Sequence, residues 1–104
     1  MGTGATSTQY PQASALEERL KHLAIELGDA TPKPIRVDLV RVHGGKPPIY
    51  SVVIRSSAKE PLRKRLEHLL NRSLTCGITS FMLKAEEAQR IVSNLPSSAQ
   101  GKSL

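Results

Sequence analysis

Sulfur is nearly missing from this chain: its 104 residues include one cysteine, Cys76, and two methionines. A single thiol cannot close an internal disulfide, which excludes a disulfide-stapled secreted scaffold. It cannot build a thiolate metal site alone, and His22, His43 and His68 fall in three segments without ligand spacing. The expectation is no bound metal and no cofactor. Tryptophan is absent, and Tyr10, Tyr50 and Phe81 are the whole aromatic set. The interleaved aromatics on which single-strand RNA readers stack bases are therefore missing. No apolar run approaches the length of a membrane span, and no apolar stretch follows a basic start. We expect no integral membrane association and a cytoplasmic location.

Groups suited to catalysis are equally scarce. Glu17/Glu18 and Glu86/Glu87 stand in the first turns of expected helices, where the helix dipole already accounts for acids. No carboxylate pair is placed for acid–base work. Cys76 has no helix N-terminus beside it to lower its pKa, and a structural thiol is the simpler role. We expect no enzyme. Met1-Gly2-Thr3-Gly4-Ala5-Thr6 fits a loose myristoylation pattern, but no basic cluster follows to give a second membrane signal. His43-Gly44-Gly45-Lys46 lacks the spacing of a phosphate-binding loop and precedes a strand, so it reads as a hairpin loop.

Positive charge is plentiful and concentrated. Residues 33–72 hold ten basic side chains and three acids, whereas the rest of the chain holds five and six. The whole excess behind the net +6 lies in the middle of the sequence. Such asymmetry suits an anionic partner.

Residues 1–13 and 96–104 are mostly Gly, Ser, Thr, Gln, Pro and Ala, and we expect two disordered tails around a single domain over residues 14–95. Within it, Ser14-Ala15-Leu16-Glu17 reads as a capping box. Leu16, Leu20, Leu23 and Leu27 follow at helical spacing, and Gly28 supplies the stop. A first helix over residues 15–27 results. Pro32 and Pro34 force an extended connector. The runs 35–42 and 49–55 are rich in β-branched residues and flank a Gly-Gly loop, which predicts a hairpin. Ser57-Ala58-Lys59-Glu60 is a second candidate capping box, and Leu62, Leu66, Leu69 and Leu70 carry a helix to about residue 73. Residues 77–83 predict a third strand, and Ala85, Ala88, Ile91, Val92 and Leu95 a last helix. The order α-β-β-α-β-α defines an α+β fold. A right-handed crossover from strand two to strand three favours the sheet order 2-1-3, mainly antiparallel.

Two candidate surfaces follow. Arg63, Lys64, Arg65, His68 and Arg72 lie on the second helix, with Arg65, His68 and Arg72 at i, i+3 and i+7 along one side. With Arg41, Lys46 and Arg55 of the hairpin they form a candidate nucleic-acid surface. The strands also carry two apolar sets. One comprises Ile35, Val37, Leu39, Tyr50, Val52, Ile54, Phe81 and Leu83. The other, Val40, Val42, Ile49, Val53, Ile78 and Met82, needs a cover: either the first helix or another chain, such as a second copy. The sequence therefore points to a small basic binding protein contacting nucleic acid. The anionic partner is nucleic acid or an acidic protein. The alternative is a protein–protein interaction module or homodimeric structural or adaptor protein without catalytic activity.

Overall fold

The computed structural model describes residues 10–41, 47–74 and 80–95. Its elements are α1 (Ala13–Glu26), β1 (Arg36–Val40), β2 (Ile49–Val53), α2 (Lys59–Leu70), β3 (Ser80–Lys84) and α3 (Ala85–Asn94). The strands form one antiparallel sheet and the helices form a second layer, so the α+β architecture stands.

The strand order does not match the expected 2-1-3. The sheet runs β1-β2-β3, with β2 in the middle. Strands β2 and β3 are antiparallel neighbours, so the handedness rule for crossovers between parallel strands does not apply. Composition explains the choice. Strand β2 is Ile-Tyr-Ser-Val-Val, the most apolar of the three, and takes the position paired on both edges. The edge strands carry the charges Arg36, Asp38 and Lys84, which guard exposed edges against further pairing.

Both expected capping boxes are absent. Helix α1 begins earlier, at Ala13, with Gln12 as its cap, so Ser14 lies inside the first turn. The Tyr50 hydroxyl donates to the Pro11 carbonyl and anchors the chain where it enters the helix. At α2 the cap is Ala58 without a side-chain bond. Ser57 turns its hydroxyl to Asp29 instead, at 3.0 Å, and Ser56 Oγ accepts the Ala58 N–H at 2.8 Å.

The helix ends follow simpler rules. Gly28 adopts φ +107°, its N–H reaches the Ile25 carbonyl, and the Asp29 N–H reaches that of Ala24. This double closure satisfies carbonyls that the last turn would leave open. Asn71 plays the corresponding left-handed part after α2, with φ 57°. That helix therefore ends at Leu70, short of residue 73.

The core lies between the layers. Leu16, Leu20 and Leu23 of α1, Leu62 and Leu66 of α2, and Ala88 and Ile91 of α3 pack with Val37, Tyr50, Val52 and Leu83. The first apolar set is thus the covered one, and α1 lies over it with the other helices. Helix α1 does not cover the described members of the second set, Val40, Ile49, Val53 and Met82.

Candidate interaction surface

Pairing register and pleat alternation assign every strand residue to a face. The face turned to the helices carries Val37–Val52–Phe81 and Leu39–Tyr50–Leu83 in two rows across the sheet. The opposite face carries three rows: Arg36–Val53–Ser80, Asp38–Ser51–Met82 and Val40–Ile49–Lys84. Among the described residues no helix lies over these rows. Met82 is 56% exposed and Val40 43%, large values for aliphatic side chains on a sheet. Val40, Ile49, Val53 and Met82 therefore share one open face. Val42 and Ile78 lie outside the described residues.

The open face has charged ends. At one end Lys33, Arg36, Asp38, Val53 and Arg55 line a hollow of about 290 Å³. Arg36 Nη2 approaches Asp38 Oδ1 at 3.7 Å, with both side chains mostly exposed. At the other end Lys84 and Glu86 join Tyr10, Pro48 and Ile49 around a second hollow of about 250 Å³. Lys33 and Arg36 were not among the expected site residues. The signal that finds Arg36 is the register, which sets it beside Val53 and so near Arg55; Lys33, ahead of β1, joins them only in the folded chain.

The expected nucleic-acid residues separate into several places. Arg55 is exposed on the open face. Arg41 is exposed just beyond β1, near enough to Tyr50 for its charge to act on the phenol. Burial is the stronger influence there and raises the Tyr50 pKa. Lys64, Arg65 and His68 are exposed on α2, in the opposite layer from Arg55. Lys46 lies outside the described residues.

Two cations of the α2 set are already engaged. Arg63, with a side chain only 18% exposed, donates to Glu60 at 2.9 Å and to Glu67 at 2.8 Å. Arg72 grips Glu87 with Nε and Nη2, and Nη2 also reaches the Met82 carbonyl at 3.1 Å. The i, i+3, i+7 row is thus shortened at its C-terminal end.

The acids in these contacts are tuned to stay ionised. The Leu74 N–H lowers the Glu67 carboxyl most; burial opposes it and Arg63 reinforces it. That bond, at 2.9 Å, draws the chain after α2 back so that Leu74 is buried. Burial pushes Glu87 up, but the bonds from Arg72 and from the Lys84 N–H outweigh it and the net shift is down. Asp29, 3% exposed, accepts from the Ser56 hydroxyl, the Thr31 N–H and the Ser57 hydroxyl. The Ser56 bond is the main cause of its lowered pKa. This trio ties the end of α1 to the start of α2.

Among the described residues no three histidine or carboxylate side chains gather where they could hold a metal ion. No described helix is long and apolar enough to cross a membrane. Cys76 and His43 lie outside the described residues.

Fold and surface together define a two-layer α+β domain in which, among the described residues, three helices lie on one face of an antiparallel sheet and none lies on the other. Comparison with protein-family models, curated proteins and solved structures gives no match for this chain.

Proposed function

We propose that this chain is a non-catalytic protein-interaction module whose open sheet face is the binding surface. One observation carries the reading: Val40, Ile49, Val53 and Met82 share a face that no described element covers. Exposed aliphatic side chains gathered on one sheet face mark interaction surfaces. Here they surround Ser51 and are framed by cations, as interface centres are framed by polar rims. The test is sedimentation and peptide-display selection with the full chain, each repeated with Val40→Asp and Met82→Asp. Both side chains are exposed, so both variants should fold with nearly unchanged thermal midpoints. The reading expects an association that both variants abolish. An association indifferent to them, or none at all, refutes it.

A second reading, nucleic-acid binding through α2, is favoured by the exposure of Lys64, Arg65 and His68 on one helix. A row of cations can follow a phosphate backbone without aromatic help. The open face suits nucleic acid less. Tyr50 and Phe81 point into the core, and the exposed ring nearest the open rows, Tyr10, stands at their edge and not among them. Fluorescence anisotropy with duplex and single-stranded oligonucleotides at several salt concentrations tests this reading. Binding absent at low salt removes it.

A further inference from the structure

We infer that the occupant of the open face is an acidic segment of a different protein, with carboxylates flanking aliphatic side chains, and not a second copy of this chain. The inference rests on the reading of the open face as the interaction surface.

Charge is the first ground. Lys33, Arg36 and Arg55 border one end of the apolar patch and Lys84 the other. Against these four cations stand Asp38 and Glu86. Arg36 on β1 and Lys84 on β3 stand about 13 Å apart along the strands and two strand spacings apart across them, about 16 Å on the diagonal. A partner that fills the patch therefore gains by placing carboxylates at about that spacing, with aliphatic groups between them. Opposed potentials of this kind steer encounter and select partners.

Symmetry is the second ground. A closed dimer uses the same patch on both copies. With a two-fold axis along the strands, the register sets Arg36 opposite Ser80, Asp38 opposite Met82 and Lys84 opposite Val40. Three charges per copy are then covered without a counter-charge. With the axis across the strands, Asp38 meets Asp38, Arg36 meets Val40 and Lys84 meets Ser80. Neither centred arrangement pairs the charges, and covering an unpaired charge is costly. Moving the second axis to the level of Val37 pairs Arg36 with Asp38 but carries the Val40–Ile49–Lys84 row beyond the partner copy's β1 and β2, so the charges pair only where half of the apolar patch is left out.

Nucleic acid would satisfy the cations but not the patch, since phosphates have no use for Val40, Val53 and Met82 and these side chains offer no stacking surface.

The experiment selects a randomised peptide library displayed on phage against the full chain and measures the enriched sequences as free peptides. Enriched peptides should carry Asp or Glu on both sides of Leu, Ile or Val. Their dissociation constants should rise about tenfold or more with Arg36→Glu plus Arg55→Glu, and should fall with Asp38→Lys, which removes the one repelling carboxylate among the three rows. Enrichment of neutral or basic peptides, or binding unmoved by these charge changes, overturns the acidic partner. If such peptides still lose binding with Met82→Asp, the open face keeps its role. If binding survives Met82→Asp, or no peptide binds, both readings fall. A concentration-dependent dimer that Met82→Asp dissociates, or oligonucleotides that compete with the peptides for the face, would assign the surface to a second copy or to nucleic acid and overturn the inference.

Discussion

Arg72 and Glu87 are joined by two parallel hydrogen bonds, Nε to Oε2 at 2.5 Å and Nη2 to Oε1 at 3.0 Å. The same guanidinium holds the Met82 carbonyl on β3, so one side chain links the end of α2, an edge strand and the start of α3. The planar fork matters more than the charge. Arg72→Lys should lower stability by about 1–2 kcal/mol in urea unfolding, although it preserves the cation. Glu87→Gln should cost a similar amount. The double variant should be little worse than either single one, as expected of partners in one contact. Additive losses would show that the two side chains act separately.

Acid sensitivity follows from the three tuned carboxylates. Asp29, Glu67 and Glu87 titrate below 3.8, 4.5 and 4.5 respectively, their ordinary values. A carboxyl held below its unfolded value stabilises the fold above that value, and the contribution is lost as pH falls through the folded one. The thermal midpoint should therefore be flat above about pH 5 and drop steadily below it. Asp29→Asn should reduce stability at neutral pH and make the acid-side decline shallower. A decline as steep as that of the unaltered chain would remove Asp29 from the account.

Gly28 offers a clean measurement of backbone strain. Its φ is +107°, and a Cβ added there would meet no atom within 4 Å. Gly28→Ala therefore creates no clash, and its cost is the conformation itself, about 1 kcal/mol. A neutral outcome in thermal unfolding would mean that the end of α1 relaxes to accommodate alanine.

The α2 cations make separable predictions if oligonucleotides bind. Lys64→Ala and Arg65→Ala should each flatten the dependence of log affinity on log salt by about 0.9 for a duplex, one phosphate contact per residue. Arg63→Ala should leave that slope unchanged and lower stability instead, because its guanidinium is committed to Glu60 and Glu67. A reduced slope with Arg63→Ala would show that the ion pairs open on binding.

Periodicity and alternation were legible from the residues themselves. The leucine rows of α1 and α2 and the division of strand residues into a covered and an open set depend on side-chain direction within one element. The Arg63–Glu67 pair has the i, i+4 spacing that joins side chains on a helix, yet the sequence alone reads Arg63 as one of the exposed cations. Other features needed the folded chain. Strand order depends on which strand best tolerates neighbours on both sides, a comparison no single strand contains. Ser57 looked like a cap because nothing local announces that Asp29 competes for its hydroxyl. Arg72 looked like part of a free row because Glu87 arrives from a helix fifteen residues away in the chain. The grouping of Lys33 and Arg36 with Arg55 waits on the β1–β2 register.

Confining all three helices to one side of the sheet divides responsibility within each strand. Alternate residues answer to the core, and those between them have no described element over them. If the open face is the interaction surface proposed above, a substitution at Val40, Asp38 or Met82 changes the partner while Val37, Leu39 and Leu83 keep the domain folded. A scaffold arranged in this way can acquire new binding specificities over generations without putting its own integrity at risk.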